Sequence, residues 1–185
     1  MQGNQPGFLE LGDLLAVSGM RVGEAVALER SDVDLDTGLI TIHKAKGDRG
    51  RLVPLHPTAT EALRGYASVR DRLCPAPRSR AFFLSSAGTA VRANGLRQTF
   101  REITTRIGVR TQAVHPRIHD LRHRFAVQTL IDWHRSGANI DERIATLSTY
   151  LGHISPADTY WYLSAAPELM ALAAERLDDR FGGVR

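Results

Sequence analysis

Two short runs, Leu39 to His43 and Arg51 to Leu55, interrupt a chain that otherwise reads as a succession of helices. The first is rich in β-branched residues, and the second is extended up to Pro54. Lys46-Gly47-Asp48-Arg49-Gly50 between them is turn chemistry, so the two runs are expected to pair as one antiparallel hairpin. This sets the expected fold class: mainly α with a small antiparallel β hairpin or sheet (α+β). The hairpin also carries both lysines of the chain, Lys44 and Lys46, at its tip end.

Around the hairpin, helices are expected over Phe8 to Val17 (ending at Ser18-Gly19), Arg21 to Glu29, and Pro57 to Leu73, with Pro57 near the first turn. Further helices are expected over Asn94 to Ile107, Asp120 to Trp133, Asp141 to Tyr150, Ser155 to Leu163 and Pro167 to Arg180. Cys74 to Arg78 reads as a loop and Ala81 to Leu84 as a short apolar piece. With 185 residues and no repeat, low-complexity stretch or linker, residues 1–185 are expected to form a single domain. Hydrophobic residues make up 43% and charged residues 24%, which suits a soluble globular protein. No apolar run approaches the roughly 20 residues of a membrane helix, and the start lacks a signal-peptide pattern. The lone Cys74 can make no intramolecular disulfide, so a reducing, cytoplasmic setting is expected.

Charge is unevenly spread. From Arg97 to Arg124 there are seven arginines (97, 101, 106, 110, 117, 122 and 124) against two acids, Glu102 and Asp120. Residues 9 to 36 lean the other way, with Glu10, Asp13, Glu24 and Asp32 among their acids. A basic stripe on an otherwise balanced chain of net charge +4 suits a polyanion partner. The alternative is an arginine-rich solvated helix face in a high-GC coding sequence. Lysine is used twice among 24 basic residues. An ammonium can give up a proton and a guanidinium cannot, which marks Lys44 and Lys46 as candidates for acid chemistry.

A second constellation lies downstream. His119-Asp120-Leu121-Arg122-His123 puts His119 and Arg122 three apart, sharing a face at the start of a helix whose positive end attracts phosphate. His153 and Tyr162 are nine apart, about 900° on one helix and so on opposite faces. Ser155-Pro156 resolves this as an N-cap followed by a first-turn proline, leaving His153 in a turn and Tyr162 on a separate short helix. Tyr160 is about 200° from Tyr162, so only one of the two can face a site. His119 and His123 also have metal-ligand spacing, but Asp120 stands where a zinc protease carries glutamate and no third ligand is evident. No metal or other cofactor is expected. Trp133 and Trp161 are expected in the core.

Together these stretches resemble the catalytic domain of the tyrosine recombinase (phage integrase-type) family. The motifs are Ser18-Gly19-Met20-Arg21-Val22-Gly23-Glu24-Ala25, the lysine hairpin from Lys44 to Leu55, His119 to Arg122, Leu151-Gly152-His153 and Tyr162, in order across about residues 9 to 175. The resemblance implies six site residues. Arg21 and Arg122 would hold the non-bridging phosphate oxygens, His119 and His153 would orient phosphate or move protons, and Lys46 would protonate the leaving 5′-oxygen, with Lys44 as its rival. Tyr162 would form a 3′-phosphotyrosine. The implied activity is site-specific DNA cleavage and rejoining on a mobile element. The implied partner is double-stranded DNA, bound by a homo-tetramer that is a monomer in free solution. Met170, Ala173, Ala174 and Leu177 line one side of the last helix, which either exchanges between protomers or packs on its own core. The family's amino-terminal clamping domain is expected to be absent. A DNA-binding remnant without recombination activity of its own is the alternative reading.

Overall fold

The computed structural model describes residues 6–43, 50–153, 155 and 157–165. Lys44, Lys46 and the helix expected from Pro167 lie outside these residues. The fold divides between Arg122 and His123 into two compact units, and helix α5 (Asp120–Arg135) runs across the division.

In the first unit, α1 (Pro6–Ser18) stops at Gly19, whose φ of +61° a side-chain-bearing residue adopts only with strain. Leu11, Leu14 and Leu15 recur at helical spacing and are buried, as are Leu63 and Tyr66 on α3 (Pro57–Leu73), against which α1 packs. The α3 boundaries match the expected ones. His56 caps its start by accepting from the Thr58 N–H, and Pro57 follows where a missing N–H costs nothing. Helix α2 (Val22–Ala27) is shorter than expected, because Leu28 leaves helical geometry.

The hairpin is present as β2 (Leu39–Ile42) and β3 (Arg51–Pro54), paired antiparallel with Ile40 opposite Val53. Ile40, Ile42 and Val53 point to the buried side and Leu52 to solvent, the period-two alternation of a one-faced sheet. A third strand, β1 (Val33–Asp34), adds to the β2 edge. At two residues it carries no readable period. Its turn is made by Asp34, whose Oδ1 accepts from the N–H groups of Asp36 and Thr37.

The apolar piece Ala81 to Leu84 is wholly buried. It is held by single bridges from Ala81 to Glu29 and from Leu84 to Ala90, and by the Leu84 N–H donating to the Tyr66 hydroxyl at 2.9 Å. Phe83, 1% exposed, stacks on Tyr66 and meets Phe82 edge-on. Truncating such a ring typically costs about 3–5 kcal/mol, so Phe83→Ala is the single change expected to undo this corner. Helix α4 (Ala93–Arg106) packs on α1 and α2 while exposing Arg97, Arg101 and Arg106.

The second unit is a helical cluster. Ala126, Leu130 and Ile131 of α5 meet Leu147 and Leu151 of α6 (Ile140–Leu151) and Tyr162 of α7 (Ala157–Ala165). Asn139 caps α6 by accepting from the Asp141 N–H at 3.1 Å, and Gly152 ends it in the left-handed region at φ +68°. Among the described residues no helix is long and apolar enough to cross a membrane.

Candidate active site

Arg21 occupies the N-cap of α2 with extended backbone. Glu24, three residues on, accepts the Arg21 backbone N–H at 2.9 Å and its Nη1 at 3.1 Å. The same carboxylate receives both Nη1 and Nη2 of Arg51, at 2.9 and 2.7 Å, in a two-pronged pair. Burial alone would push the Glu24 carboxyl up. The hydrogen bonds from Arg51 and Arg21 outweigh it and hold the group at about 2, so it stays charged. Arg51 is the first residue of β3, directly after the lysine-bearing turn. Glu24 thus ties the base of that hairpin to Arg21, whose side chain remains 41% exposed.

Arg122 lies in the first turn of α5 and is buried, at 3% exposure. Its Nη1 donates to the Gly19 carbonyl at 2.7 Å across 103 residues of sequence. Gly19 and Arg21 are two residues apart, at most about 7 Å between Cα atoms. One short segment therefore anchors both guanidiniums. Helix α5 begins at Asp120, as expected, so His119 sits in the turn just before it, three residues from Arg122, rather than on the helix itself. Its carbonyl accepts the Arg122 N–H at 3.0 Å and its side chain is exposed. The spacing of three holds, but Asp120 claims the helix start by accepting the Arg117 N–H.

The second unit holds the other two candidates. His153 follows Gly152 and donates its backbone N–H to the Ser148 carbonyl at 3.0 Å. Its Nδ1 is 2.7 Å from the hydroxyl of Thr159, which is fully buried. Tyr162 is one turn beyond Thr159 on α7, and its ring stacks on His153 with centroids 6.1 Å apart and planes 16° off parallel. The expected break is in place. Ser155 Oγ accepts the Ala157 N–H and starts a new helix, while Pro156 lies outside the described residues. Tyr162 is 3% exposed and Tyr160 46%, so the two phenols do face differently.

Trp161 is a correction. Expected in the core, it is 55% exposed, because its neighbour Tyr162 takes the inward-facing position of α7. Trp133 does pack, half-buried, against the helical cluster. His123 lies 5.5 Å from the Tyr162 ring and 5.6 Å from the Trp161 ring.

Lys44 and Lys46 lie outside the described residues, and Arg51 marks where their turn rejoins the sheet. Among the described residues no group of three His, Cys, Asp or Glu side chains is arranged to hold a metal ion. Sequence reasoning passed over Glu24 and Thr159. A glutamate three residues after a helix start is the capping-box signal and could have found Glu24. Thr159 stands at the i−3 position of Tyr162, but nothing in the sequence marks it as a partner of His153.

The chain matches the phage integrase family model over residues 10–168. It is 46% identical over 163 residues to a putative integrase/recombinase, y4rE, of Sinorhizobium fredii, covering 88% of this chain and 52% of the relative. It is 30% identical over 164 residues to tyrosine recombinase XerD of Bifidobacterium longum, covering 85% and 49%. The chain spans about half the length of the curated relatives it matches. Among solved structures it resembles XerA recombinase with a TM-score of 0.73 at 24% identity, covering 95% of this chain and 57% of the other. It also resembles the XerH recombinase in a pre-cleavage complex with difH substrate, with a TM-score of 0.69 at 26% identity, covering 91% and 46%. The mainly helical fold with its small antiparallel sheet is the fold of those recombinases' matching portions.

Proposed function

Because the chain belongs to the phage integrase family, we propose that it is the catalytic portion of a tyrosine recombinase that breaks and rejoins double-stranded DNA. The observation that carries this reading is the anchoring of Arg21 and Arg122 to one segment, Arg21 by Glu24 and Arg122 by the Gly19 carbonyl. Two guanidinium groups fixed that way suit the non-bridging oxygens of a phosphodiester, where negative charge grows during attack.

In the proposed reaction, the Tyr162 hydroxyl oxygen attacks phosphorus and the bond to the 5′-oxygen breaks. The phenolic proton passes to a base, for which His119 is the candidate, and Lys46 donates a proton to the departing 5′-oxygen. The 3′-phosphotyrosine preserves the energy of the broken ester. A 5′-hydroxyl from another strand then attacks it and releases Tyr162, so the exchange needs no nucleotide cofactor. His153 hydrogen-bonds the same phosphate. Burial of Tyr162 in the helical cluster means that its ring must turn outward before it can meet DNA.

The arginines exposed on α4 supply phosphate contacts that give affinity and register rather than sequence choice. Assembly is proposed as a homo-tetramer on two duplexes from a monomer in solution. A DNA-binding remnant is the less favoured reading, since all six family positions are filled in this chain. The test is covalent capture on nicked duplexes with randomised cores, with the adduct mapped by mass spectrometry. A phosphonucleotide on Tyr162 is expected; binding with no covalent product overturns the proposal.

A further inference from the structure

Trp161 combines three properties. It is a large aromatic side chain left 55% exposed, which is unusual for tryptophan. Its indole is braced by two rings, His123 at 5.6 Å and Tyr162 at 5.5 Å, the latter edge-on at 70°. It is also the chain neighbour of Tyr162. The His123 contact does not involve the Tyr162 ring, so it still orients the indole once that ring turns outward, and little side-chain entropy is lost on binding.

Resting on the proposed nucleophilic role of Tyr162, we propose that Trp161 is a nucleobase-stacking subsite for a nucleotide flanking the cleaved phosphate. Consecutive Cα atoms are about 3.8 Å apart, so wherever the Tyr162 backbone moves the Trp161 backbone moves with it. Once Tyr162 is bonded to a phosphate, the indole on the neighbouring residue reaches nucleotides within a few steps of it, at about 3.4 Å of helix axis per step. Breaking the strand there frees a base from one side of its stack. An exposed, pre-oriented indole offers that base a replacement face. Every base has such a face, so the subsite takes purines and pyrimidines alike.

The test uses the two tryptophans of the chain. In a Trp133→Phe background, Trp161 is the sole indole emitter. A nicked duplex recovered by covalent capture is titrated in, and 2-aminopurine replaces each nucleotide beside the nick in turn. Trp161 emission should be quenched as the adduct forms, and the 2-aminopurine signal should change at one or two positions next to the nick. Trp161→Ala should lower cleavage of the same duplex roughly 5- to 100-fold, the range a single stacked base supplies, with Trp161→Phe restoring most of it. Unaltered thermal melting of both variants separates this from misfolding. An adduct on Tyr162 with unchanged Trp161 emission and normal Trp161→Ala cleavage overturns the subsite alone. Quenching that depends on protein concentration without DNA assigns the indole to a second protein copy and also overturns it. Absence of any adduct on the wild-type chain overturns the functional reading beneath it.

Discussion

Glu24 grips Arg21 at both ends, accepting its backbone N–H at 2.9 Å through one oxygen and its guanidinium at 3.1 Å through the other. The first contact fixes where α2 begins, and the second fixes where the guanidinium points. Because the carboxylate also takes Arg51 in a two-pronged pair, two separate pieces of chain meet on one side chain: the helix start at Arg21 and the strand that leaves the lysine turn. Glu24 is therefore a positioning residue in the proposed reaction. Glu24→Gln keeps the shape but removes the charge, leaving the partly buried Arg51 against a neutral amide. Cleavage of nicked duplex is expected to fall at least about tenfold while Kd changes little, a split that loss of aim predicts and loss of DNA affinity does not.

Acid should reveal the same network. The folded Glu24 carboxyl sits at about 2, below its ordinary 4.5. A group depressed in the folded state contributes stability that is whole above 4.5 and is lost as pH falls toward 2. The shift corresponds to roughly 2–3 kcal/mol once partial solvent access is allowed for. Chemical denaturation of wild type and Glu24→Gln from neutral pH downward should show a stability gap that is constant above pH about 5 and narrows below it. A gap that stays constant into the acid range would assign the Gln variant's loss to packing rather than to charge.

Thr159 does for His153 what Glu24 does for Arg21. Its buried hydroxyl is 2.7 Å from Nδ1, and a hydroxyl donating there places the ring proton on Nε2, the tautomer able to donate to a phosphate oxygen. Thr159→Val matches the shape and deletes the partner. The expected stability cost is about 1 kcal/mol, with a fall in cleavage of roughly tenfold. Thr159→Ser should recover activity even if it packs less well. If Val and Ser variants cleave alike, the hydroxyl does not set the imidazole.

Much of this was legible along the chain, and what was missed shares a cause. The hairpin, the α3 limits and the break at Ser155 are local matters of β-branching, a proline at a first turn and a capping hydroxyl, all decided within a few residues. The start of α5 at Asp120 is legible too, although a three-residue spacing does not say that His119 stays in the turn before it. The two-residue β1 has no period to read. The grip of Arg51 on Glu24 spans 27 residues, and that of Arg122 on Gly19 spans 103. Neither pairing leaves a trace in local pattern. The exposure of Trp161 has a related cause: hydrophobicity argues for burial, but the inward face of the short helix α7 is held by Thr159 and Tyr162, three residues apart.

Tyr162 and Tyr160 give the sharpest separation of roles. Tyr162 is 3% exposed, within a cluster of Ala126, Leu130, Ile131, Leu147 and Leu151, while Tyr160 is 46% exposed. Accessibility alone would favour Tyr160 as nucleophile; the stacking of Tyr162 on His153 favours the buried ring. Removing only the hydroxyl decides between them, because phenylalanine keeps the packing at either position. Tyr162→Phe is expected to melt within a few degrees of wild type, since only one hydroxyl is altered, and to bind nicked duplex normally. It should yield no covalent product, and Tyr160→Phe should yield it at close to the wild-type rate. Capture by Tyr162→Phe together with loss of capture by Tyr160→Phe would exchange the two assignments. The pairing of His153 with Tyr162 would then be packing rather than chemistry.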